Sequence, residues 1–246
     1  MKGFKRLYKY IYAITVVLIF WYMLYILLDS FVIPNPIDVI IELMKNGINI
    51  LSTHLIASLL RLLIALIITT TLGYFIGISI GINKKLDSLI SPILYLFFPV
   101  PRIAFLPIFM ILFGLGDLSK IILIIAISIF QIVLSVRDGA KEIPNDYILS
   151  ANSLKLSKWQ MIKHIYIPAT LPKLFTAIRL ALGSSMAALF FAENYATKYG
   201  IGYYIMNSWI KVDYEGMYAG IIIISFLGIT MFKIIDLIEK KVCKWI

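Results

Sequence analysis

Few residues in this chain could do chemistry, and they do not converge. The two histidines, His54 and His164, lie in different segments, and Cys243 is the single cysteine, which excludes an internal disulfide framework and a cysteine-based zinc cluster. No glycine-rich loop ends in Lys-Ser or Lys-Thr to cradle phosphates. Nor is there a His-Glu-x-x-His pair to hold zinc or a Gly-x-Ser-x-Gly elbow to present a nucleophile. ATP binding and hydrolytic chemistry therefore have no carrier here. What remains is a set of ionisable residues in or beside apolar runs, Arg102, Arg179 and Glu193, and a polar, basic stretch over residues 137–172.

The elements that hold these residues follow from composition. Of 246 residues 61% are hydrophobic and 15% charged, with a mean hydropathy of +0.93, more apolar side chain than a soluble core of this size hides. Lipid is the solvent for the excess, and backbone groups in lipid must bond internally, so the long apolar runs are read as helices. Six are expected, at residues 10–28, 62–82, 90–115, 118–136, 174–192 and 217–235. The third is interrupted by Pro92, Pro99, Pro101 and Pro107, which predicts a bent or broken span. The first follows Lys2, Lys5, Arg6 and Lys9 but exceeds the roughly 7–15 residues of a signal-peptide core, and no small-residue cleavage site follows it, so it is kept as a span. The whole chain, residues 1–246, reads as one membrane domain.

Charge sets the expected orientation. The formal charge of +10 sits beside apolar runs rather than on one polar face with aromatics, which argues for membrane orientation and against nucleic acid. With the N-terminus inside, the inner segments carry Lys2, Lys5, Arg6, Lys9, Lys84, Lys85, Arg137, Lys141, Lys155, Lys158, Lys163, Lys173, Lys233, Lys240, Lys241 and Lys244. The outer segments carry only Lys45, Arg61, Lys120, Lys198 and Lys211. That asymmetry predicts cytoplasmic N- and C-termini and an even number of spans. Between the first two spans, Asn35 is positioned to cap a short surface helix with Pro36 at its first position and Ile37, Ile40, Ile41 and Met44 on one face.

Within the basic stretch, residues Leu149-Ser150-Ala151-Asn152-Ser153-Leu154-Lys155 and then Ile165-Tyr166-Ile167-Pro168 resemble the "EAA" loop of binding-protein-dependent ABC importer permeases. Ala151, Ile165 and Pro168 match that pattern in register, while Leu149 stands where the family usually has Glu and Lys155 where it usually has Gly. Pro99-x-Pro101-x-x-Ala104-x-x-Pro107, Phe113-Gly114-x-Gly116, and Ala192-Glu193 followed by Tyr199-Gly200-x-Gly202-Tyr203 are similar to the nitrate, sulfonate and taurine branch. The resemblance covers nearly the whole chain.

It implies an all-α permease subunit, itself no enzyme, that works as a homodimer with two separate ATPase subunits and an extracytoplasmic solute-binding protein in a bacterial or archaeal inner membrane. ATP would be held by the partner, and this chain would bind no cofactor and no metal. A coupling helix formed from the basic stretch would dock on the ATPase through Tyr147, Leu149, Ser150, Ala151, Leu154, Lys155, Lys158 and Pro168, with Lys155 strained if its turn needs positive φ. The solute would be small, with an anion such as a sulfonate, taurine or nitrate as the implied class. Candidates for the translocation path are Arg102, Ser184, Ser185 and Glu193. Each has a plainer reading: Arg102 could snorkel at the inner surface, Ser184 and Ser185 with Gly183 could serve helix packing, and Glu193 with Asn194 could order the loop that follows. A gradient-driven carrier or channel, the alternative class, would need paired charges mid-membrane.

Overall fold

Helices satisfy their own backbone groups without water. In the computed structural model every regular element among the described residues is helical. The structure describes residues 2–245, and for residues 2–7, 9, 10 and 51 the main chain alone. Helix α1 (Lys2–Leu28) leads to α2 (Pro36–Asn49), and a π-helical turn, Ile50–Leu55, joins α2 directly to α3 (Ile56–Ile82). Then come α4 (Lys84–Phe97), a 3₁₀ turn (Arg102–Phe105), α5 (Leu106–Phe113) and α6 (Asp117–Lys141). The remainder is α7 (Asn145–Ser153), α8 (Lys158–Met161), a second π-helical turn (Ile162–Tyr166), α9 (Ile167–Glu193), α10 (Ile201–Ile210) and α11 (Tyr214–Val242).

Five helices are long and apolar enough to cross a bilayer, and a sixth crossing requires α4 and α5 together, which bend by 82° at residues 98–101. The expected break at the prolines is therefore real. Several expected boundaries shift. The second span starts earlier, at Ile56, so Arg61 lies inside a helix and not in a loop. Helix α6 runs on to Lys141, placing Arg137 within it, and α8 continues through the π turn into α9, so little of the 137–172 stretch is loop. Asn35 caps α2 as expected, accepting from the Ile37 amide at 3.0 Å with Pro36 at the first position. The α2 face of Ile37, Ile40, Ile41 and Met44 is exposed while Val39 is fully buried.

The bundle is built on α3, α6 and α9, whose contacts dominate the fold. One apolar core joins Leu62, Leu66, Ile124, Leu182 and Leu189, and a second joins Ile132, Val136, Leu174, Ala177 and Ala181 nearer α7. Close approach of α3 to α6 depends on the glycines spaced by four. A Cβ added at Gly77 would lie 2.7 Å from the Val133 carbonyl oxygen and 2.9 Å from Val136 Cβ, and one at Gly81 would lie 2.6 Å from Ala140 Cβ. The stripe thus serves packing within one protomer, where small residues replace the missing hydrophobic drive between helices in lipid.

The outlying elements are held by few anchors. Helix α1 reaches α11 where Trp21 stacks on Tyr218, centroids 5.2 Å apart, and α4 buries no residue fully. Arg137, 3% exposed, ties α4 to α6 by donating to Ser91 Oγ at 2.7 Å and Tyr95 Oη at 2.6 Å while pairing with Asp138 at 2.6 Å. Arg179 pairs with Glu239 at 2.6 Å and Asp236 at 3.1 Å, joining α9 to α11. Cys243, just past α11, is buried, and burial with the nearby Glu239 carboxylate pushes its thiol up, so it packs rather than reacts.

Replacing Gly77 by valine should push α3 from α6 and destabilise the protein by about 1–3 kcal/mol. Gly47→Ala, where a Cβ meets nothing within 4 Å, should be neutral or stabilising by up to about 1 kcal/mol. Thermal unfolding of both variants in detergent, side by side, checks the contrast.

Candidate functional site

In the polar stretch between α6 and α9, α7 leaves large apolar side chains exposed. Ile148 packs against the second core with Ile143, just before the helix, and Met161, just after it, and Ala151 one turn on is 3% exposed, which pins one face of the helix. The other face carries Tyr147 (64% exposed), Leu149 (62%) and Leu154 (75%), with Ser150, Lys155 and Lys158 also exposed and Trp159 nearby. An apolar helix face left outside both the core and the bilayer run is the pattern of a helix that docks into a partner's groove.

Local chemistry shapes this helix and its neighbour. Helix α7 ends in a Schellman motif: the Leu156 amide donates to the Ala151 carbonyl at 3.1 Å and the Lys155 amide to the Asn152 carbonyl at 2.9 Å. Lys155 occupies the left-handed position of that motif at φ 53°, where glycine is usual, at a cost of roughly 1–2 kcal/mol. The expectation of strain at Lys155 is met. Helix α8 starts on a capping box, with Ser157 Oγ accepting from the Gln160 amide at 3.3 Å and Gln160 Oε1 from the Ser157 amide at 2.8 Å. Pro168 lies near the start of α9 and, with Tyr147, His164 and Trp245, lines a hollow of about 470 Å³ beside α7.

The path candidates separate. Along α9 the exposed positions Thr176, Leu180, Gly183, Ala187 and Phe191 recur at spacings of three and four, making one stripe on the protomer surface. Ser184 borders that stripe, half-buried, and its hydroxyl lies 3.3 Å from Gln131 Oε1 on α6. Ser185 points the other way, with no exposed surface and no hydrogen-bond partner for its hydroxyl. Arg102 does not lie near an end of its span. Its guanidinium sits 4.2 Å from the ring centre of Phe130, which is midway along α6, and its Nη2 donates to the carbonyls of Phe97 at 2.7 Å and Phe98 at 2.8 Å.

Glu193 is not on an open face of the protomer. It is fully buried at the end of α9 opposite α7 and accepts from Ser58 Oγ at 2.8 and 2.9 Å, Arg61 Nη1 at 2.6 Å and the Gly202 amide at 2.9 Å. Ser58 Oγ in turn accepts from the Ile201 amide at 2.8 Å, and His54 Nδ1 from the Gly200 amide at 3.3 Å. Three side chains thus take up the first free amides of α10, and a carboxylate meets the positive end of that helix. Gly200, at φ 140°, is required here because a Cβ would collide with the Glu193 carboxylate. Asn194, oriented so that its amide nitrogen donates to the Phe190 and Gly202 carbonyls at 3.1 and 3.0 Å, closes the same turn. Of the two readings of Glu193, the loop-ordering bond is the one these contacts match.

The sequence reading missed Arg61 and Lys120, both counted as loop cations. Arg61 is 4% exposed, pairs with Asp117 at 2.7 Å as well as Glu193, and donates to the Tyr199 carbonyl at 2.8 Å. Lys120 is 1% exposed and donates to the Leu115 and Gly116 carbonyls at 3.0 and 3.1 Å, stapling the turn into α6. The available signal was Glu193 itself, because a carboxylate in an apolar run demands a cation, and Ser58 and Arg61 share a helical face.

Arg61→Ala leaves a buried carboxylate unpaired and should cost about 3–5 kcal/mol. Removing Glu193 in the same chain should cost much less than the sum of the single changes, since the two residues act as one unit. Chemical unfolding in detergent of the two single alanine variants and the double variant measures that coupling.

Comparison with known proteins places the chain in a family. Residues 70–244 match the family described as binding-protein-dependent transport system inner membrane component. The chain is 30% identical over 192 residues to the taurine transport system permease protein TauC of Escherichia coli, covering 78% of this chain and 70% of that one. It is 27% identical over 253 residues to the nitrate import permease protein NrtB of Synechococcus elongatus, covering 97% and 90%. The formylaminopyrimidine transport permease protein ThiX of Halalkalibacterium halodurans is 26% identical over 217 residues, covering 88% and 87%. In fold, a chain of the inward-facing MetNI methionine ABC transporter superposes with a TM-score of 0.62 at 18% identity, over 82% of this chain and 98% of that one. The chain therefore belongs to the binding-protein-dependent transport system inner membrane component family, and is an integral, multi-pass membrane protein of that family's fold.

Proposed function

We propose that this chain is the permease subunit of an ATP-driven importer, working as a homodimer that docks two separate ATPase subunits through α7. The observation that carries the reading is the division of α7 into an anchored face, Ile148 and Ala151, and a free face, Tyr147, Leu149 and Leu154, rimmed by Ser150, Lys155 and Lys158. Pro168 and the hollow beside it lie at the root of that helix. ATP would stay on the partner, since the sequence holds no phosphate-cradling loop. Both termini and α7 would face the cytoplasm, as the lysine and arginine asymmetry of the segments requires, in the inner membrane of a bacterium or archaeon. An extracytoplasmic binding protein would deliver the solute to the opposite end, beside α10 and the Glu193 cluster.

The path would run along the exposed α9 stripe, with Gln131 and Ser184 as its mid-level polar pair, between this protomer and a second copy. The relatives named for taurine and nitrate support a small oxyanion as solute. Closure of the ATPase pair would pull on α7, and because Ile143 and Ile148 seat it in the same core as α6 and α9, the two long helices would move as one body.

Co-purification in detergent with candidate ATPase subunits tests the docking. The wild-type chain should retain an ATPase, and Leu149→Asp with Leu154→Asp should weaken it by about thirtyfold or more, the effect of removing an interface anchor worth roughly 2 kcal/mol. Both side chains are exposed, so the variant should stay folded. A folded wild-type chain that binds none of the ATPases, or a variant that binds equally, contradicts the proposal.

A further inference from the structure

We infer that Arg102 is the anion-recognising group of the translocation path, a reading that rests on the permease function proposed above. Charge balance inside the bundle sets this residue apart. Arg61 is paired with Glu193 and Asp117, Arg137 with Asp138, and Arg179 with Glu239 and Asp236. Among the arginines whose side chains are described, Arg102 alone has no carboxylate within 4.0 Å. A cation at membrane depth without a counter-ion is costly, and such residues mark solute and ion pathways.

The depth is fixed by Phe130. Helix α6 is 25 residues long, which is about 37 Å at 1.5 Å per residue. Phe130 is 13 residues after its start and 11 before its end, so the guanidinium over that ring sits at the mid-level of the span whichever way the chain is oriented. Snorkelling to either surface is ruled out by that contact.

The guanidinium is also held ready. Its Nη2 donates to the Phe97 and Phe98 carbonyls at the C-terminal end of α4, and the Phe130 and Phe98 rings lie 4.2 and 5.8 Å from the guanidinium carbon. Among the described residues Nε and Nη1 have no partner, and the side chain is only half-buried. A fixed cation with free N–H groups, placed where the broken α4–α5 segment opens the backbone, fits an oxyanion such as a sulfonate or nitrate group, which accepts charge-assisted hydrogen bonds from guanidinium. The neighbouring α6 position, Gln131, carries the polar pair with Ser184, so the solute would meet polar groups at the same level.

Arginine modification by phenylglyoxal tests this on the full-length chain in lipid nanodiscs, read by mass spectrometry of the peptide that contains Arg102. Arg102 should react faster than Arg61, Arg137 and Arg179. Methanesulfonate or nitrate should slow that reaction about fivefold at a concentration about four times its Kd, while the uncharged dimethyl sulfone should not. An Arg102 that stays unmodified, or that reacts at the same rate with and without either anion up to molar concentration, overturns the inference and leaves the residue as a clamp for the helix break. Arg102→Lys should keep anion protection of an amine-directed label, whereas loss of protection with the lysine would also count against it. The ATPase co-purification is read independently, so failure of the importer assignment is distinguishable from failure of this one.

Discussion

A carboxylate cannot be left alone in a low-dielectric interior, and the end of the bundle opposite α7 is organised around the one that is there. Glu193 costs several kcal/mol to desolvate, and that cost is offset only by a full set of donors. The set comes from two elements: Ser58 and Arg61 on α3, and the Gly202 amide at the start of α10. Because Arg61 also grips Asp117 at the start of α6 and the Tyr199 carbonyl in the loop, one buried charge fixes four parts of the chain relative to one another. Removing any partner exposes the others to an uncompensated group, which makes this end rigid.

The rest of the frame is held by shape. Glycines on α3 let α6 approach until backbone and side chain touch, and α9 packs across both. Against this frame α1 and the α4–α5 segment are attached by a few aromatic and arginine contacts. A stiff three-helix frame with a loosely attached broken segment is suited to alternating between two packings, as a transporter must. Helix α7 is seated in the frame itself, so force applied to it reaches α6 and α9 before it reaches the periphery.

Much of this was legible in the residues. Long apolar runs with few charges announced the helices, and four prolines announced the break between α4 and α5, because both signals are local. The cap at Asn35 and the strained Lys155 were readable for the same reason. Arg61, Lys120 and Arg137 were not. Each looks like a loop cation near the end of an apolar run, and its burial depends on partners 42 to 138 residues away or on carbonyls exposed by a turn. Helix ends were misjudged where a charged residue closed an apolar run, since a paired charge continues a helix as well as an apolar residue does. The position of Arg102 required the fold, because sequence could not say which residue of α6 it would meet.

The central claim, that this chain couples solute passage to ATP hydrolysis on a partner, is tested most directly in proteoliposomes holding the permease with its ATPase. Hydrolysis is measured with and without the solute-loaded binding protein, and with ion gradients intact or collapsed by ionophores. The account predicts hydrolysis that rises several-fold when the loaded binding protein is added and is indifferent to the gradients. Solute uptake that follows an ion gradient and proceeds without ATP would contradict it.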